Sequence, residues 1–183
     1  MAFFTTTFAE TPPAIEGEGV YLRQPLMSDF PEWADLRERS RSFLEPWEPI
    51  WPADDLTRGA FRRRLKRYAE DYRADRNVLV GGVTLSNVRR GVAQASSIGY
   101  WMGAPYARQG LMSRALRALI PFSFNNLRLH RLEAACIPTN AGSIRLLEKN
   151  GFSREGYARE YLCINGTWQD HLLYARLKDV PKP

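Results

Sequence analysis

No stretch of this sequence approaches the roughly 20 uninterrupted apolar residues that a membrane span requires. The opening residues, MAFFTTTFAETPP, show none of the basic-then-apolar order of a secretory signal. Together these absences give the expectation of a cytoplasmic protein with no membrane partner. Cysteine is equally sparse: Cys136 and Cys163 are the two present, far apart, with neither a CxxC pair nor a Cys/His spacing. That pattern favours two buried reduced thiols and argues against a disulfide or a metal centre. Neither the Gly-Lys-Ser/Thr of a Walker loop nor a GxGxxG fingerprint occurs. Internal repeats and low-complexity linkers are missing as well, so nothing divides the chain.

What is present fits one ordinary domain. A chain of 183 residues, 44% hydrophobic and 12% aromatic, can bury a single core and is too short for two full-sized domains. The expected division is a mobile lead-in over residues 1–19, one domain over 20–178 and a tail over 179–183. A net charge of +6 and a pI near 9.6 suit a partner or ligand carrying negative charge, such as RNA, an acidic protein surface or a phosphate-bearing cofactor. Much of the excess is Arg58, Arg62, Arg63, Arg64, Lys66, Arg67, Arg73 and Arg76. At helical spacing these spread round a polar face, while Phe61, Leu65 and Tyr68 form one apolar stripe.

Hydrophobic periodicity and turn chemistry give the order of elements. Val20 to Gln24 reads as a strand, and a helix capped by Ser28 or Asp29 runs to about Ser40 with Pro31 in its first turn. The run FLEPWEPIWP holds too many prolines for a regular element and reads as a packed loop, a candidate wall of a cleft. After the basic helix come strands at Val78 to Leu85 and Ser96 to Met102. A helix follows with Leu111, Ala115, Leu116, Leu119 and Ile120 at helical spacing, and Pro121 is expected to kink or break it. Leu132 to Cys136 is a strand, and Ala141 to Asn150 a helix stopped by Asn150-Gly151. A closing hairpin from Tyr157 to Leu177 turns at Asn165-Gly166. The mixture is α+β, or mixed α/β.

The chemistry concentrates at Tyr100-Trp101-Met102, where a strand enters a glycine-bearing loop and then a helix. The first amides of a helix have no intrahelical acceptor and, with the helix dipole, make an anion site. Gly110 lets the backbone approach a phosphate, with Arg108 supplying charge and the Ser113 hydroxyl a further donor.

The stretch Arg108-Gln109-Gly110-Leu111-Met112-Ser113 resembles the Q/R-x-x-G-x-G/A motif of GNAT acetyltransferases, with Ser113 where Gly or Ala is usual. Asn140-Ala141-Gly142-Ser143, continuing to Leu147 and Gly151-Phe152, resembles the N-x-x-S segment of the RimJ/RimL ribosomal-protein acetyltransferase branch. The run from Glu155 to His171 also looks like that branch. The resemblance implies a single GNAT-like domain with a mostly antiparallel twisted sheet, about four flanking helices and a V-shaped splay between two central strands.

The same resemblance implies acetyl-CoA as co-substrate, no metal, and transfer to a primary amine, foremost the N-terminal α-amine of a ribosomal protein. Tyr100, Trp101 and Met102 would line the thioester arm, with a backbone N–H near Met102 holding the developing oxyanion. Arg108 to Ser113 would hold the pyrophosphate, and Asn140 the cofactor arm. Ser143 would protonate the leaving thiolate. An α-amine, with a pKa of about 7.7 to 8.0, is partly neutral at cellular pH and demands little of a base. Glu160 is the first candidate to accept its proton and Glu133 the second. His171 attracts notice because imidazole titrates near neutrality, but its place among Trp168, Leu172 and Tyr174 favours a structural or cleft-lining role.

Rival readings are a small amine acceptor and an RNA- or ribosome-binding module that uses the basic helix. A monomer and a homodimer fit the sequence equally. One departure from the family pattern stands out, because a strand is expected between the basic helix and Val78. Arg76 runs directly into Asn77-Val78, and a strand with a tight turn needs about seven to ten more residues. The expectation drawn is that a hairpin is absent from this sequence between Arg76 and Asn77.

Overall fold

The computed structural model describes residues 14–67, 71–74 and 78–179. Its frame is an eight-stranded sheet in the order β1-β2-β3-β4-β5-β6-β8-β7. The strands are β1 (Ile15–Gly17), β2 (Val20–Arg23), β3 (Asp71–Ala74), β4 (Val78–Arg89), β5 (Ala95–Met102), β6 (Arg131–Cys136), β7 (Ser153–Ile164) and β8 (Thr167–Leu177). The helices are α1 (Phe30–Arg39), the single turn α2 (Arg41–Leu44), α3 (Arg58–Arg67), α4 (Leu111–Asn125) and α5 (Ala141–Lys149). Every neighbouring pair is antiparallel except β5 and β6, whose parallel pairing requires the long crossover that α4 supplies.

The main core lies where α4 and α5 cover the sheet. Leu116, Leu119, Leu132, Leu147 and Val83 are fully buried there. A smaller cluster of Trp33, Leu36, Phe61 and Leu79 seats α1 and α3. Truncating one fully buried leucine to alanine in such a core costs about 2–5 kcal/mol.

Local rules account for the element ends. At the C-terminus of α5, Gly151 adopts φ +77°, its N–H bonds Glu148 O at 3.0 Å, and the Phe152 N–H bonds Leu147 O at 3.1 Å. This is the paired bond pattern by which a left-handed glycine closes a helix. Asn165 (φ +45°) and Gly166 (φ +76°) both take positive φ, as the two-residue turn between β7 and β8 demands.

Several expectations are corrected. The strand missing from the sequence reading is β3, drawn from residues assigned there to the basic helix, and it pairs with both β2 and β4. No inserted hairpin is needed to fill the sheet. Arg73 therefore belongs to a strand, and Tyr68 and Arg76 lie outside the described residues. The lead-in contains β1, which pairs Ile15↔Leu22 with β2. α4 runs through Pro121 to Asn125. Asp29 does not cap α1 with its side chain; its carboxylate turns back to the Leu26 N–H at 2.7 Å and to Arg23. Cys136 is buried as expected, but Cys163 is exposed, on the edge strand β7, which is exposed along most of its length.

Candidate active site

The site begins with a fork in the sheet. β5 and β6 pair only through Ala95↔Arg131, Ser96↔Leu132 and Ser97↔Glu133. Beyond that point β5 stays with β4 as far as Met102, and β6 stays with β8 as far as Cys136. From Ile98 to Met102, β5 thus carries no β6 ladder, and its backbone groups on that side can pair with an extended ligand as they would with a strand.

A turn at the end of β5 aims a helix terminus at the mouth of the fork. Arg108 and Gly110 take φ +62° and +77°, and Gly110 is the N-cap of α4. Arg114 N–H to Gly110 O, at 3.1 Å, is the first bond into the helix, so the Met112 and Ser113 amides have no acceptor within it. A Cβ built on Gly110 meets nothing within 4 Å, which leaves an open cradle over the backbone. Left-handed backbone followed by a helix N-terminus suits a phosphate or pyrophosphate. The residues present therefore fit coenzyme A.

The Ser113 side chain does not take part in this cradle. It is buried and exchanges hydrogen bonds with the Asn150 side chain at 3.1–3.2 Å, joining α4 to the end of α5. Gln109 folds back to the Pro105 carbonyl at 2.9 Å. Asn140 caps α5, with Oδ1 accepting the Ser143 N–H at 3.0 Å.

Ser143 reaches across the fork. Its hydroxyl lies 2.6 Å from that of Tyr100 on β5. Burial pushes the Tyr100 phenol well above its ordinary value, against a smaller opposing effect of the Ser143 bond. Burial likewise raises the Cys136 thiol, against a smaller opposing effect of the neighbouring Ser143. Tyr100, Cys136 and Ser143 thus form one cluster at the throat, all three neutral at physiological pH. From the sequence Tyr100 is expected only to line the thioester arm, and the hydroxyl contact to Ser143 is added by the fold.

The two glutamates sit in different places. Glu133 stands at the closed end of the fork, ion-paired to Arg89 and Arg131, and Arg131 in turn pairs with Glu155. Glu160 lies in an irregularity of β7 between Ala158 and Leu162, exposed, with φ +45° and its N–H bonded to Asp170 Oδ1 at 2.8 Å. Asp170 also accepts the Tyr157 hydroxyl, and that bond and the Glu160 amide hold its carboxyl below the usual range. His171 is buried against Tyr161, with Nδ1 2.9 Å from the Gln169 carbonyl.

On the opposite face of β4 and β5 lies a cavity of about 690 Å³. Gly82, Thr84 and Gly99 contribute to its floor, and the loop from Glu48 to Pro52 and the side of α3 to its walls. The Asn165 N–H bonds Glu48 O at 2.8 Å, tying that loop to the turn of the β7–β8 hairpin. Arg37 lines this cavity and is 4% exposed. Sequence reasoning missed it, although the signal was there: with Trp33 and Leu36 it completes the i, i+3, i+4 stripe that α1 buries.

Fork, anion cradle and hydroxyl cluster suit an acyl-coenzyme A transferase, and comparison with known proteins carries this to a family. The family described as "Acetyltransferase (GNAT) domain" matches residues 20–153, and the chain belongs to it. It is 34% identical over 174 residues to "Probable N-acetyltransferase YjcK" of Bacillus subtilis, spanning 89% of this chain and 96% of that protein. It is also 34% identical over 163 residues to the "[Ribosomal protein uS5]-alanine N-acetyltransferase" of Escherichia coli, spanning 82% and 84%. A solved structure of Mycobacterium smegmatis RimJ in complex with CoA-disulfide superposes with a TM-score of 0.84 at 28% identity, over 93% of this chain and 88% of that one. The chain is a GNAT acetyltransferase of mixed α/β fold, and members of that family use acetyl-CoA. Among the described residues no cluster of metal-ligating side chains occurs, and no helix is long and apolar enough to cross a membrane.

Proposed function

We propose that this protein transfers the acetyl group of acetyl-CoA to the N-terminal α-amine of a ribosomal protein, with alanine-initiated chains as the leading acceptors. The observation that carries this reading is the Tyr100–Ser143 hydroxyl pair across a fork whose mouth faces the Gly110 cradle. Bound there, acetyl-CoA supplies an activated acyl thioester. The Met112 and Ser113 amides grip its diphosphate, and the free edge of β5 aligns its arm. A backbone N–H near Met102 stabilises negative charge on the acyl oxygen. The Ser143 hydroxyl, oriented by Tyr100, passes a proton to the departing sulfur and is reprotonated from solvent, which finally takes up the proton that the amine releases. Glu160 takes the proton released by the amine, directly or through water. The E. coli relative named for uS5 alanine acetylation supports the choice of acceptor.

The test is release of free CoA thiol with a panel of acceptors: alanine- and serine-initiated ribosomal peptides, spermidine and an aminoglycoside. Turnover confined to the small amines would overturn the protein-acceptor reading. An RNA-binding role draws less support, because Arg63 and Arg64 of α3 are ion-paired to Asp54 and Asp55. Any RNA affinity is expected to be weak and to change little with salt.

A further inference from the structure

The stripe that α1 buries does not stop at Arg37. Trp33, Leu36, Arg37 and Ser40 recur at i, i+3, i+4 and i+7, and Ser40, which ends the helix, is fully buried. Its N–H closes the helix on the Leu36 and Arg37 carbonyls, each at 3.1 Å. Its hydroxyl oxygen accepts the Ala104 N–H at 2.9 Å, 64 residues further along the chain. Trp33 and Arg37 line the cavity of about 690 Å³, whereas Ala104 begins the turn that leads from β5 to the Gly110 cradle. One helix thus touches both sites.

The path of the loop from Gly103 to Gly110 decides where the cradle sits. Gly103 is pressed against α1: its N–H bonds Val80 O at 2.9 Å, and a Cβ there would lie 2.5 Å from Leu36 Cδ1. A single turn, Ala104–Tyr106, follows, closed by the Tyr106 N–H on Gly103 O at 2.9 Å. Gln109 then folds back on the Pro105 carbonyl. Among the described residues Ser40 is the one side chain from outside this loop that hydrogen-bonds it. The positive φ of Arg108 is a conformation that a side chain adopts only when its surroundings impose it, so the loop needs a fixed start. Without the Ser40 hydroxyl the Ala104 N–H loses its acceptor in a part-buried position, and the turn must shift to find another.

We propose that Ser40 is a positioning residue for the cofactor: by anchoring Ala104 it sets the loop so that the Met112 and Ser113 amides converge on the diphosphate before coenzyme A arrives. Ser40 itself touches neither substrate. The proposal rests on the reading of the Gly110 turn as the diphosphate cradle. It adds that the cradle is preformed from α1, the same helix that walls the cavity on the opposite face. The expected defect is confined to the diphosphate half of the cofactor, because the free edge of β5 and the Tyr100–Ser143 pair are held without the Ala104 bond.

The experiment compares acetyl-CoA with S-acetylpantetheine, which keeps the thioester arm and lacks the diphosphate, by thiol release with an alanine-initiated peptide. Calorimetry with CoA runs alongside and needs no acceptor, so it stands apart from the choice of amine. Ser40→Ala is expected to raise KM for acetyl-CoA and Kd for CoA about fivefold or more, with kcat, peptide KM and S-acetylpantetheine turnover unchanged. Ser40→Cys, which nearly keeps the volume but offers a weaker acceptor, should show the same selective loss at smaller size, and it carries the test if the alanine variant folds poorly. Equal losses with both thioesters would overturn the proposal in favour of a purely structural role. Wild-type CoA affinity in both variants would overturn the anchor itself. If the wild-type protein binds CoA no more tightly than pantetheine, the cradle reading fails instead.

Discussion

The hydroxyl of Tyr100 on β5 and that of Ser143 at the start of α5 meet at 2.6 Å, bridging the two sides of a fork that the backbone leaves open. In the proposed mechanism Ser143 protonates the departing sulfur and Tyr100 keeps that hydroxyl aimed. Ser143→Ala is expected to lower kcat by roughly a hundredfold or more while KM for acetyl-CoA changes little. Tyr100→Phe should produce a smaller loss. Burial raises the Tyr100 phenol, so its protonated form persists above the pH at which an ordinary tyrosine ionises. The alkaline limb of the kcat profile should therefore be the same in wild type and Tyr100→Phe. Loss of that limb in the variant would contradict the assignment.

Gly110 combines positive φ with an open cradle. Gly110→Val places a branched side chain in the left-handed region and over the proposed diphosphate site. Strain of about 1–3 kcal/mol should lower the melting temperature by several degrees. Calorimetric affinity for CoA should fall far more than this loss of stability implies. Equal affinity in the variant would rule out the cradle.

The two thiols should separate under a thiol-reactive chromophore at neutral pH. Exposed Cys163 should react at once, whereas Cys136, buried and raised in pKa, should stay mostly protonated and unreactive until the protein unfolds. Since the raised value favours the thiol, Cys136 labelling should climb only as pH moves above the usual thiol range. CoA is expected to slow it further.

Glu160→Gln should reduce kcat, with the largest loss toward lower pH, where fewer amines are already neutral. Glu133→Gln should affect the melting temperature more than turnover, because Glu133 joins Arg89 and Arg131 at the closed end of the fork. The reverse pattern would exchange the roles of the two residues.

Much of the fold was legible because it is written in local signals. The α4 stripe, the Asn150-Gly151 stop and the Asn165-Gly166 turn each depend on residues close in sequence. β3 was not legible, since Asp71 to Ala74 has no strand pattern and is held by long-range pairing with β2 and β4. At the site, the Gly110 turn could be read from spacing and resemblance. The Ser113 side chain could not, because only the packing of α4 against α5 brings it to Asn150. The buried Arg37–Asp55 pair was half legible: the α1 stripe marks Arg37 as inward-facing, but its partners Glu48 and Asp55 come from a distant loop.

β7 is the outermost strand on its side of the sheet, twelve residues long, and a straight edge of that length is a template on which another chain can add a strand. The irregularity around Glu160 breaks that template midway, where Asp170 holds the displaced backbone. The distortion that presents Glu160 therefore also guards against edge-to-edge aggregation. A variant that restores regular pairing there would lose solubility before it lost its fold.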